Sequence, residues 1–165
     1  MMNLNFIEIP NQAILASAKK YLLSAELLES QNAQLELGSI LCASFSIELL
    51  LKSLLSKSSP QNVEQLDNNC WFYTGITHRT AHGHSYLTLF NKLPSEHRSY
   101  LSGFFGSGNE FNSLESDLES FDDIFIKWRY SHELTNKSFN VTKLLLLNKK
   151  LYEAISHMEV VRKLS

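Results

Sequence analysis

Ile40-Leu41-Cys42-Ala43-Ser44-Phe45-Ser46-Ile47-Glu48-Leu49-Leu50-Leu51-Lys52-Ser53-Leu54-Leu55 is apolar on nearly every side when wound into a helix. A helix without a polar face has to be surrounded by others, so this stretch marks the central helix of a bundle. It is expected from about Leu35 to Ser56. Only Glu48 and Lys52 interrupt it with charge. They stand four residues apart with the glutamate first, the favourable order for a helical ion pair, and read as a structural polar seam.

On the N-terminal side, Leu15, Ala18, Leu22, Ala25 and Leu28 recur at steps of three and four, which predicts a helix from Gln12 to Ser30. On the C-terminal side, Ser58 to Thr77 reads as a long loop punctuated by Pro60 and Asn68-Asn69, with Cys70-Trp71-Phe72-Tyr73 packing it down. His84 to Leu93 and Ser95 to Phe105 read as short helices separated by Pro94. Leu114, Leu118, Phe121, Phe125, Trp128 and His132 make one continuous stripe. They predict a long helix from Ser113 to Leu134 opened by an Asn112/Glu115 capping box. A final helix is expected from Val141 to Lys163, with Asn140 as its N-cap. No segment alternates apolar and polar β-branched residues in the manner of a half-buried strand. The fold class is therefore all-α, an antiparallel bundle of four to five long helices plus short ones.

The chain length of 165 residues suits a single domain, 1–165, with the long loop at 58–77. A net charge of −2 argues against a broad electrostatic footprint for nucleic acid and leaves room for a local basic patch. No apolar run reaches the ~18 residues of a membrane span. Met1 to Pro10 has neither the basic start nor the apolar stretch of a secretory signal. A cytoplasmic location without membrane attachment is expected, and Cys42 and Cys70 are expected as reduced thiols. Leu144 to Leu147 are four consecutive leucines, more than one helix stripe uses, which predicts a homodimer.

Two segments carry a resemblance. Ala43 to Leu55 has an acidic residue before an aliphatic-Lys-x-aliphatic run, and Phe125-Ile126-Lys127-Trp128-Arg129-Tyr130-Ser131-His132-Glu133 carries an arginine late in the chain. Between them lies His82-Gly83-His84-Ser85-Tyr86-Leu87, a Gly-His-x-x-Leu pattern. In order and spacing these segments resemble the HEPN domains (higher eukaryotes and prokaryotes nucleotide-binding), over roughly residues 12–160. The resemblance implies a HEPN-like helical bundle. It also implies an RNA-binding protein or metal-independent endoribonuclease, in a toxin–antitoxin, stress or anti-phage defence setting. Such chemistry uses the RNA's own 2′-hydroxyl as nucleophile, so a proton-transfer group and a cation suffice and neither metal nor other cofactor is expected.

The resemblance assigns Arg129 to phosphate, His132 or His84 to proton transfer, and Glu133 or Glu48 to orientation. Arg79, His84, Lys127 and Tyr130 are the phosphate- or RNA-contacting candidates. In catalytic members four to six residues separate the arginine from a histidine; here the positions that would hold it are Leu134, Thr135 and Asn136, and the nearest histidine, His132, comes after only two intervening residues. Arg79-Thr80-Ala81-His82-Gly83-His84 meets the spacing in a different element. A non-catalytic interaction module is therefore the alternative, binding a nucleotide or a partner protein such as a nucleotidyltransferase. Cys70 with His78, His82 and His84 supplies zinc-type donors, but without the closely paired cysteines of structural zinc sites.

Overall fold

A computed structural model describes residues 6–31, 35–67, 70–106, 113–124, 127 and 140–164. The described residues are mostly helical, with six helices packed together. Helix α1 (Gln12–Gln31) and α2 (Glu36–Ser53) form an antiparallel hairpin, and α6 (Val141–Ser156) packs against both. Helices α3 (Tyr86–Asn91), α4 (Ser95–Gly106) and α5 (Leu114–Ser120) close the remaining sides.

Helix α2 is the hub that its all-round apolar sequence predicts. Ile40, Ala43, Ile47, Leu50 and Leu51 are fully enclosed, against Tyr86 and Phe90 from α3, Leu118 from α5 and Leu144, Leu147 and Leu151 from α6. Each of the isoleucine, leucine and phenylalanine side chains among them contributes roughly 1.5–3 kcal/mol by leaving water. The α1–α2 seam is built from small residues at a seven-residue repeat. Ser46 Oγ lies 2.9 Å from the Ala18 carbonyl and Ser39 Oγ donates to the Ala25 carbonyl at 2.8 Å. Ala18, Ala25, Ser39 and Ser46 are all fully buried, so two backbones meet with hydroxyls filling the gap. Ala25→Leu is expected to cost ~1–3 kcal/mol by overpacking this seam, read as a lower urea midpoint with an unchanged m value.

The expectation of an all-α chain is corrected by six short strands among the described residues. β1 (Phe6–Ile9), β2 (Lys57–Gln61), β5 (Gly75–Arg79) and β6 (Val161–Leu164) form one sheet in the order β5-β2-β1-β6. β3 (Glu64–Asp67) and β4 (Cys70–Phe72) pair as a separate hairpin at the tip of the β2–β5 arm. The stretch expected as a loop at 58–77 is this arm. Its strands are three to five residues long, and most of their described side chains stay at least partly exposed. They need no apolar alternation, which is why none was legible. The aromatic cluster does not pack the arm down: Phe72 and Tyr73 are 50% and 49% exposed, and Cys70 is exposed.

The final helix ends at Ser156 rather than Lys163, because Val161–Leu164 pairs with β1 as β6 and Arg162 binds Glu8 at 3.1 Å. Asn140 is its N-cap, accepting from the Lys143 amide. Leu144, Leu145 and Leu147 are consumed by the chain's own core and only Leu146 is exposed, so the leucine run offers no continuous face to a second copy.

The long helix expected from Ser113 to Leu134 is interrupted: α5 ends at Ser120 and a turn follows at 121–123. Ile124 and Lys127 are helical again, the Lys127 amide donating to the Asp123 carbonyl at 2.9 Å, and residues 125–126 and 128–134 lie outside the described residues. Asp122 explains the break: its carboxylate accepts the Leu87 amide at 3.0 Å and the Ser85 hydroxyl at 2.7 Å, pinning the chain to the start of α3. Ser113 caps α5 through the Ser116 amide, and Asn112 lies outside the described residues.

Candidate functional site

Glu48 sits two-thirds of the way along α2 and is only 6% exposed. A carboxylate in that setting loses several kcal/mol of hydration and needs partners for both oxygens. Oε1 takes Lys52 Nζ at 2.7 Å and Oε2 takes His84 Nδ1 at 2.9 Å. Lys52 is itself nearly enclosed, whereas the His84 side chain is 58% exposed. One buried carboxylate thus holds a cation on its own helix and an imidazole that reaches solvent.

The segment bearing His84 is fixed at both ends. Gly83 adopts φ +114°, a backbone conformation that side-chain-bearing residues rarely tolerate. The His82 carbonyl accepts from Lys92 Nζ. Ser85 N-caps α3 through the Thr88 amide and donates to Asp122. Tyr86 is fully buried and its hydroxyl donates to the Ser44 carbonyl at 3.1 Å, one turn before Glu48 on α2. Burial pushes the Tyr86 phenol well above its ordinary range, so it stays a neutral donor. His84 is therefore positioned by packed groups on either side.

The chemistry follows from which ring nitrogen is engaged. A carboxylate against Nδ1 favours the tautomer with the proton on Nδ1, which makes Nε2 the basic nitrogen. An exposed imidazole oriented in this way is suited to taking or giving a proton.

The structure brings Glu48, Lys52 and His84 together. It places Arg79 at the end of β5, exposed, beside Lys57. Lys127 pairs with Asp123 at 3.3 Å on the surface. Arg129, Tyr130, His132 and Glu133 lie outside the described residues. Among the described residues no three of His, Cys, Asp and Glu converge as metal donors, so Cys70 and the histidines of 78–84 are not gathered into one set.

His78 is used differently from His84. Its Nδ1 lies 2.9 Å from Ser58 Oγ and 3.1 Å from Asn11 Nδ2. Asn11 Oδ1 in turn accepts the Ile14 amide at the start of α1. A serine beside an imidazole resembles a nucleophile and its base, but Ser58 is 1% exposed and out of a substrate's reach. The group is a tie between the sheet and α1. Sequence reasoning missed Lys57 and Asp122, whose roles depend on strand register and on a contact across 35 residues.

The fold and site together define a mostly helical protein with a short sheet and a carboxylate-anchored, solvent-reaching histidine. Comparison with protein-family models, with curated proteins and with solved structures finds no match.

Proposed function

We propose that this chain is a HEPN-like RNA-binding protein that cleaves RNA without a metal. The observation that carries the reading is the 2.9 Å contact between Glu48 and His84. It joins two of the segments on which the HEPN resemblance rests, the acidic position of the second helix and the Gly-His-x-x-Leu segment, which stand 36 positions apart in the chain. In this reading His84 Nε2 takes the proton from a ribose 2′-hydroxyl. The freed oxygen attacks the adjacent phosphorus, the bond to the 5′ oxygen breaks, and a protonated group returns a proton to that leaving oxygen. The products are a 2′,3′-cyclic phosphate and a 5′-hydroxyl. Arg129 is assigned to the phosphate charge and His132 to the second proton transfer, with Glu133 orienting; these three roles rest on the resemblance.

The test is cleavage of a mixed RNA pool in excess EDTA by wild type, Arg129→Ala and His132→Ala. Cleavage by the wild type with strong loss in Arg129→Ala is the expected result. Equal cleavage by all three sinks the roles given to the late segment. No cleavage by any of them at high protein concentration rejects the ribonuclease reading.

One observation favours the alternative, a non-catalytic module that binds a partner protein. Leu66, Phe72, Tyr73 and Ile76 expose between 43% and 65% of their surface on the β2–β5 arm and its tip. Recovery of RNA cleavage without any captured partner removes that alternative.

A further inference from the structure

The β2–β5 pair sets Lys57 directly opposite Arg79. Directly opposed residues on antiparallel strands share a face, with Cβ atoms only ~4.5–5.5 Å apart, and like charges there repel. Among the described residues neither cation has an ion-pair or hydrogen-bond partner to offset this. Charges on sheet edges often serve to block unwanted strand pairing. That accounts for Arg79 on the outer strand β5, but not for Lys57, because β2 is an interior strand between β5 and β1.

A groove of about 320 Å³ opens at this pair, lined by Leu55, Lys57, Ser59, Arg79, Thr80 and Ala81. The lining holds two cations, two hydroxyl-bearing residues and no carboxylate. We infer that this groove is a phosphate-binding site in which a phosphate ester docks between Lys57 and Arg79. A guanidinium offers a planar fork of N–H donors to two phosphate oxygens, and an ammonium adds a point charge to a third. The anion also relieves the repulsion that the strand register imposes. In a chain of net charge −2 the attraction is local.

The link to RNA rests on the function proposed above; the site itself rests on the register and the groove. Lys57 follows Lys52 by five residues, and Arg79 precedes His84 by five. Each connection spans at most roughly 18 Å of chain. A strand reacting at His84 thus brings another of its phosphates within range of the groove. The same phosphate chemistry is also present in a free nucleoside monophosphate.

The experiment uses the full chain as wild type, Lys57→Gln and Arg79→Gln. Melting is followed in inorganic phosphate and in AMP, each against chloride of matched ionic strength. Anisotropy of a labelled single-stranded RNA is followed between 50 and 200 mM salt. The wild type is expected to melt higher in phosphate or AMP than in chloride, and both variants to lose that shift. Each variant is expected to bind RNA ~10-fold more weakly, with a salt slope shallower by roughly 0.7–1. Loss of the phosphate and AMP shifts with RNA affinity unchanged keeps the site and assigns it to a free nucleotide. No wild-type shift in phosphate or AMP, together with unaltered RNA affinity and slope in both variants, overturns the proposal. If a variant fails to fold, the absence of any wild-type shift in phosphate and in AMP overturns the proposal by itself. Variant-sensitive phosphate binding without any RNA cleavage rejects the ribonuclease and leaves this site standing. Cleavage with unaltered binding in both variants does the reverse.

Discussion

In the proposed ribonuclease reaction, His84→Asn is expected to slow RNA cleavage by ~10²–10⁴-fold while leaving the protein folded, the range over which positioned proton transfer contributes to rate. The asparagine amide offers an N–H to Glu48 Oε2 in place of the imidazole Nδ1–H, now at 2.9 Å. The buried carboxylate therefore keeps both of its partners and the local charge balance persists. What disappears is the second ring nitrogen, the atom that takes the proton in the proposed reaction. Because the His84 side chain is mostly solvent-exposed, little packing is lost. Single-turnover cleavage in EDTA, beside a melting curve, separates the two effects. A cleavage rate equal to that of the wild type would remove His84 from the mechanism. Glu48→Gln provides the contrast, because it leaves the nearly enclosed Lys52 ammonium without its anion and so weakens the fold as well as the site.

The second large effect is structural. Asn148→Asp is expected to cost ~3–5 kcal/mol, a large part of the ~5–15 kcal/mol that stabilises a domain of this kind. Asn148 lies on α6 with no exposed surface. Its Nδ2 donates to the Ala43 carbonyl at 3.1 Å, and its Oδ1 lies 2.9 Å from the Ser46 hydroxyl. The Ser46 hydroxyl also lies 2.9 Å from the Ala18 carbonyl, and its one proton serves a single acceptor at a time. Three helices are thereby joined at a single polar point inside an apolar core. Aspartate has the same shape, but it replaces the donor with an anionic oxygen facing a carbonyl. Urea unfolding measures the loss. A loss below ~1 kcal/mol would mean that water reaches the site and that the joint is not sealed.

The helices were legible because their causes are local. The 3.6-residue stripe of α1 predicts its span to within a residue, from Gln12 to Gln31. The absence of a polar face on Ile40 to Leu55 identifies α2 as central before any neighbour is known. Asn140 announces the start of α6 because the cap acts on an amide three residues away. The Glu48–Lys52 pair is legible for the same reason, as one helical turn brings the two side chains together.

The features that were not legible depend on partners far along the chain. Strand β6 pairs with β1 from the opposite end of the sequence, and the backbone hydrogen bonds that unite them carry no side-chain signature. In Lys57-Ser58-Ser59-Pro60-Gln61 nothing reads as a strand, because neither face is apolar. The stripe after Leu114 promises a continuous helix, but Asp122 interrupts it with a turn by binding the start of α3. His84 meets Glu48 only because α3 docks on α2, and Lys57 faces Arg79 only through the register of the β2–β5 arm. Periodicity and capping are interactions within a few residues, so the chain alone dictates the helical elements and the central position of α2. Strand register and the meeting of distant polar groups are collective outcomes of packing, so the sheet, the anchored histidine and the facing cations emerge only with the folded molecule.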